Sequence, residues 1–211
     1  MVAAVRVHKA GGPEVLTYED IEIPAPGPGQ VRLKQHAAGI NFIDTYFRIG
    51  MYPSPVGMPF VAGNEGTGEV IALGAGVTDL KVGDRVGYVV PLGAYAAERN
   101  LPAERAVKLP AAISYEQAAA TMLKGMTVCY LVRRTFHVKP GTIVLIHAAA
   151  GGVGLIASQP QRNVRLDGCG QVAVPAAEVS PGPVCALHGP DPASRRLSFL
   201  RCADAEEFAQ E

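Results

Sequence analysis

The stretch Thr142-Ile-Val-Leu-Ile146, followed almost at once by Ala148-Ala-Ala-Gly151-Gly-Val-Gly154, constrains this chain most. A short apolar run rich in β-branched residues suits a buried parallel strand. Small residues at three-residue spacing then allow a tight turn into a helix. The free N–H groups and the positive dipole end of that helix favour an anion, and the missing side chains let a pyrophosphate approach the backbone. A glycine triplet alone says little; its place between a strand and a helix start makes this one a candidate dinucleotide loop. The competing reading is a strand-to-helix turn that binds nothing.

A working dinucleotide unit needs a crossover helix of about three turns and a second parallel strand whose end reads the ribose. Here the helix spans 152 to about 158 and is cut by Pro160. Asp167 lies at a suitable distance, but Asn163-Val-Arg-Leu166 before it is a poor candidate for a buried strand. Past Ser158 there is no Lys, Tyr, Ile or Met, and Pro160, Pro175, Pro181, Pro183, Pro190 and Pro192 recur. Residues 171–174 read as one short strand and 203–210 as a terminal helical turn. The segment 159–211 is expected to be irregular and loosely ordered.

The upstream text has another texture. Ala3, Val5 and Val7 alternate with Ala4, Arg6 and His8, as in a half-buried strand. Residues 15–23, 31–36, 66–73, 82–90 and 94–100 read as further short strands separated by Gly, Asp and Pro. Residues 42–49 read as a short helix closed by Gly50. This is the pattern of a small, irregular β-barrel-like domain. Ser114-Tyr-Glu-Gln117 fits a capping box, in which the Ser hydroxyl and the Gln side chain satisfy helix-start amides. A helix is expected over 118–136, interrupted near Gly125 and ending before Pro140-Gly141.

Composition narrows the function classes. Lys plus Arg and Asp plus Glu both number 19, which argues against a nucleic-acid footprint or a polybasic membrane patch. No stretch approaches the roughly 18 apolar residues of a membrane span, and the first residues do not read as a signal peptide, so a cytoplasmic protein is expected. Cys129, Cys169, Cys185 and Cys202 form no C-x-x-C pair, and no metal or disulfide framework is expected. His8, His36, His137, His147 and His188 suggest no catalytic triad.

The stretches HKAGGPEVL, AAGINFIDTYFRIGMYP, GNEGTGEV, KVGDRVGY, LGAYAAERN, LPAAISYEQAAATMLKGMTV and HAAAGGVGLIA together cover about residues 3–157. In these the chain resembles the zeta-crystallin-like quinone oxidoreductases of the medium-chain dehydrogenase/reductase superfamily. The resemblance implies an α/β fold with a GroES-like, β-barrel-like catalytic domain over 1–113. A linking helix and the first Rossmann strand with its glycine loop would follow over 114–158, and the tail 159–211 departs from the family. It also implies NADPH as cofactor, a small-molecule quinone as acceptor, no membrane insertion, and a family homodimer whose formation by this chain is open.

By the same resemblance Asn41 and Tyr46 line the nicotinamide and quinone pocket and are the catalytic candidates, with Asp44 and Tyr52 beside them. Thr127 resembles a nicotinamide-side contact, and Gly151, Gly152, Val153 and Gly154 match the pyrophosphate loop. The zinc enzymes of the superfamily carry Cys where this chain has Asn41, and Gly-His-Glu where it has Gly63-Asn64-Glu65. Neither replacement is a good zinc ligand. An electrophilic acceptor is therefore expected, because a quinone ring takes electrons without a Lewis acid. Two alternatives stand beside quinone reduction: NADPH-dependent reduction of an enone or enoyl group, and a non-catalytic fragment. The change of composition past Ser158 reads as a frameshift, splice or gene-model product lacking most of the Rossmann domain.

Overall fold

The computed structural model describes residues 1–138 and 144–158 and, beyond them, three short strands at 170–172, 184–188 and 197–198. The chain divides into two compact units, Met1–Leu123 and Lys124–Glu211.

The first unit holds two antiparallel sheets. Strand β1 (Val2–Val7) pairs with β2 (Leu16–Ile21) on one side and with the short β4 (Phe60–Val61) on the other. The larger sheet has the order β7 (Glu98–Pro102), β3 (Gln30–Gly39), β5 (Glu65–Leu73), β6 (Arg85–Val89), β8 (Val107–Lys108), antiparallel throughout. Val31 and Leu33 of β3, Val70 of β5, Val86 and Tyr88 of β6 and Leu101 of β7 share one core. A second cluster, around Val7, Phe47 and Phe60, packs the small sheet under helix α1 (Phe42–Arg48). Strand β3 alternates as a half-buried strand does. Strand β1 instead buries Ala4 and Val7 and leaves Ala3 and Val5 half-buried, contrary to the expected alternation, because it packs between two neighbouring strands. Strand β3 pairs with β5 through two register irregularities, at Arg32/Leu33 and Gln35/Ala37. Its last pair sets Gly39 opposite Glu65.

Helix α2 (Tyr115–Tyr130) starts on the expected box. Ser114 Oγ accepts the Gln117 N–H at 3.1 Å, and Gln117 Oε1 accepts the Ser114 N–H at 2.9 Å. Tyr115 is held between two partners, stacking on His36 at 4.3 Å with the Arg85 guanidinium 4.6 Å from its ring. The helix is not interrupted at Gly125, contrary to expectation. It gives way only at a π-helical turn, Leu131–Thr135. The helix-forming residues on both sides outweigh the roughly 1 kcal/mol that one glycine costs.

In the second unit β9 (Leu145–His147) and α3 (Gly152–Ala157) flank the glycine turn. Val128, Val132, Val144, Ile146, Ala149 and Ala157 form its core. Strand β9 was expected to be parallel to its neighbour; it pairs instead antiparallel with β11 (Val184–His188). An open strand edge bonds whatever extended segment reaches it, and the described residues contain no parallel return strand. Strands β10 (Gly170–Val172) and β12 (Leu197–Ser198) pair with β11. Asp167 and the helical turn expected at 203–210 lie outside the described residues. Among the described residues no helix is long and apolar enough to cross a membrane.

Candidate functional site

Only Ile40 and Asn41 separate β3 from α1, so the strand delivers Asn41 directly to the helix start. Asn41 is extended there, with φ −137° and ψ 150°. Asp44, one turn on, reaches back with Oδ2 to accept the Asn41 N–H at 2.9 Å. The Asn41 side chain faces the Asp44 N–H in return, so both halves of a capping box are present and a local helix signal becomes an anchor for the site.

Asp44 is buried and does more than cap. Its Oδ2 also accepts the Tyr95 hydroxyl at 2.7 Å, and its Oδ1 accepts the amide Nδ2 of Asn64. Asn64 in turn accepts the Leu92 N–H on Oδ1 at 3.1 Å. Burial, then the hydrogen bond to Asp44 and its charge, and lastly the charge of Glu65 push the Tyr95 hydroxyl far above the usual phenol range. Tyr95 is therefore a fixed donor at neutral pH.

Glu65, at the start of β5, is 0% exposed. Its Oε2 accepts Asn41 Nδ2 at 2.8 Å and its Oε1 accepts the Leu123 N–H of α2 at 2.6 Å. A buried carboxylate is tolerated only when its lone pairs are filled in this way. Asn41 thus has its backbone bound by one carboxylate and its side chain by another.

Tyr46 is half-buried on α1, and Tyr52 is exposed on the turn that follows. The rings meet edge to face at 5.4 Å, and the Tyr52 N–H bonds the Tyr46 carbonyl at 3.1 Å. Ile40 and Phe42, on either side of Asn41, are exposed as well. The first unit therefore gathers Asn41, Asp44, Tyr46 and Tyr52 on α1 and its flanks. Thr127, on α2, and the glycine loop belong to the second unit.

The glycine loop has the shape of a phosphate cradle. Ala148 takes a left-handed φ of 53°, and Gly151 caps α3 from an extended conformation. A Cβ on Gly154 would lie 2.4 Å from Ala149 Cα, and one on Gly152 would lie 2.7 Å from the Lys124 stem. Side chains there would collide with the chain itself, so Gly152 and Gly154 let α3 pack tightly against the turn, as the glycines of a dinucleotide loop must.

Sequence reasoning named Asn64 only as a poor replacement for a zinc ligand and Glu65 only as its neighbour, and it gave Tyr95 no role. The signal was present in the paired polar residues that open β5. Their partners emerge only when β5 lies beside β3. Among the described residues no group of three or more His, Cys, Asp and Glu could hold a metal ion.

Residues 27–111 match the family model of the alcohol dehydrogenase GroES-like domain. The quinone oxidoreductase of Pseudomonas aeruginosa is 49% identical over 176 residues, 83% of this chain and 54% of the relative. The chain belongs to the zeta-crystallin-like quinone oxidoreductase family. Within that family, the crystal structure of the Escherichia coli quinone oxidoreductase complexed with NADPH superposes with a TM-score of 0.72 at 50% identity, over 74% of this chain and 48% of that one. A 2-haloacrylate reductase from Burkholderia sp is 50% identical over 161 residues, 74% of this chain and 48% of the relative. The chain spans about half the length of the quinone oxidoreductases it matches.

Proposed function

We propose that this chain carries the acceptor-side half of an NADPH:quinone oxidoreductase site, together with the phosphate loop of the cofactor half. The observation that supports this best is Asn41 held by two carboxylates beside Tyr46, on the helix where the family resemblance sets its pocket. NADPH, when bound, supplies the hydride. The chain's own residues bind and orient. The backbone N–H groups at Gly151–Gly154 receive the pyrophosphate, and Asn41 orients the nicotinamide. The Tyr46 hydroxyl donates to the acceptor oxygen as negative charge develops there. The exposed Ile40, Phe42 and Tyr52 offer apolar surface suited to a flat ring.

In this reading residues 1–113 form the catalytic domain, 114–158 the linking helix and Rossmann start, and 159–211 a tail foreign to the family. The described residues supply only the glycine-loop half of a dinucleotide unit, so a low catalytic rate is expected of these 211 residues by themselves. The 2-haloacrylate reductase relative favours one second reading, reduction of an activated carbon–carbon double bond.

Titration of the purified chain with NADPH, followed by NADPH oxidation with quinones and then with enones, tests all three readings. Micromolar binding with quinone-dependent oxidation supports the reductase; faster turnover of enones supports the second chemistry; no binding leaves the non-catalytic fragment. Where turnover is measurable, Tyr46→Phe is expected to lower it about tenfold or more by removing the donor. Unchanged turnover would exclude that role.

A further inference from the structure

We propose that Glu65 is a positioning residue whose buried carboxylate fixes which way the Asn41 carboxamide faces. The consequence for the cofactor rests on the reading that Asn41 meets the nicotinamide.

A primary carboxamide is nearly symmetric in shape but opposite in chemistry at its two ends, one an acceptor and the other a double donor. Turned over, Asn41 would offer the wrong group to whatever it orients. The capping box sets its oxygen toward the Asp44 N–H, and Glu65 holds the NH2 end from the other side. Its Oε2 lies 2.8 Å from Asn41 Nδ2, and a carboxylate presents only lone pairs, so the NH2 end must point to it. Three further features hold Glu65 itself. Its other oxygen accepts the Leu123 N–H at 2.6 Å. Its side chain has no exposure to water. Its cross-strand partner is Gly39, where a Cβ would lie 2.3 Å from Oε2. The Asn41 backbone cannot drift either, because Asp44 Oδ2 holds its N–H and is held in turn by Tyr95 and Asn64. The nicotinamide carboxamide carries the same donor and acceptor ends, so a fixed Asn41 selects one of its two orientations.

The isosteric change Glu65→Gln separates this role from simple packing. One end of the introduced amide must still accept the Leu123 N–H, so its NH2 falls opposite Asn41 Nδ2. Two donors then face each other, and turning over would only set the Asn41 NH2 against the Asp44 N–H, so the Asn41 amide loses its partner at position 65. Adding Asn41→Asp restores a donor–acceptor pair with the polarity reversed, and leaves an acceptor on the far side of position 41.

The test is a set of side-chain amide NMR spectra of the 15N-labelled chain, with the Asn41 signals assigned by their loss in Asn41→Asp, alongside NADPH titrations. In Glu65→Gln the Asn41 amide signals are expected to shift, with proton exchange about tenfold faster as the charge-assisted bond is lost. NADPH affinity is expected to fall about tenfold, and to return to within about threefold of the original in the double variant. Unchanged Asn41 signals and exchange in Glu65→Gln would overturn the proposal, whatever the affinity does. Amide signals that respond while both single variants leave NADPH affinity unaltered would support the positioning and overturn the nicotinamide reading. Should Glu65→Gln alone fail to fold, a folded double variant supports the pairing, and failure of both overturns it.

Discussion

Gly39 is the smallest residue at the candidate site and one of the least replaceable. Register sets it opposite Glu65, and a Cβ there would lie 2.3 Å both from Glu65 Oε2 and from the Ala119 carbonyl. The carbonyl belongs to a helix backbone and the carboxylate already has two donors, so neither yields cheaply. Gly39→Ala is expected to cost about 1–3 kcal/mol, as overpacking of a tight site does. A lowered urea midpoint with an unchanged slope would show it; an unchanged midpoint would mean that the strand shifts freely. At Gly29 and Gly76 the situation differs. Both have left-handed φ, 72° and 80°, with open space where a Cβ would go, so a substitution meets backbone strain and no crowding. Asn41 and Tyr46 were named from the family resemblance of one local stretch. Glu65 and Tyr95 were not, because their partners lie far away in sequence, at the start of α1 and on α2.

At the scale of elements, α2 answers two opposing demands. The Ser114–Gln117 box satisfies amides at its start, and Gly125 weakens its middle. A Cβ on Gly125 would meet nothing within 4 Å. Gly125→Ala is therefore expected to stabilise the chain by about 0.5–1 kcal/mol, the helix propensity difference. Ser114→Ala is expected to destabilise it by about 1 kcal/mol through the lost cap. Chemical denaturation of the two variants checks both signs, and a destabilised Gly125→Ala would mean that its methyl group meets a neighbour after all. The capping box was readable because all its atoms come from one four-residue stretch. The uninterrupted helix was misjudged because one glycine's cost of roughly 1 kcal/mol was not weighed against the helix formers on both sides of it. The direction of β9 was equally beyond local pattern. An apolar run says that a strand is buried, and only the segment that reaches its edge decides whether the pairing is parallel.

At the scale of the whole molecule, pH tests the buried network. Burial raises Tyr88 and Tyr95 above the ordinary tyrosine range, against the pull of Arg99 and Gln35 on Tyr88 and with the help of Asp44 on Tyr95. Both contributions are therefore fully present below about pH 10, the unfolded tyrosine value, and are lost as pH rises through the folded ones. Asp84 has the opposite sign. The hydrogen bond from Lys108, and then that from the Lys81 N–H, hold it below the usual carboxylate range. Its contribution is present above about pH 4 and is lost as pH falls through the lowered value. Unfolding free energy against pH is expected to drop at both edges. Tyr95→Phe should flatten the alkaline side and Asp84→Asn the acid side, and slopes unchanged by either would rule out that assignment. Turn glycines, the helix cap and the strand–glycine turn–helix order were determined by sequence alone, because each depends on neighbours along the chain. Tertiary structure alone decided that Glu65 meets Asn41 and that Tyr95 and Asn64 meet Asp44. Their hydrogen bonds cross between strands and helices, and a carboxylate chooses its donors only after packing has removed water.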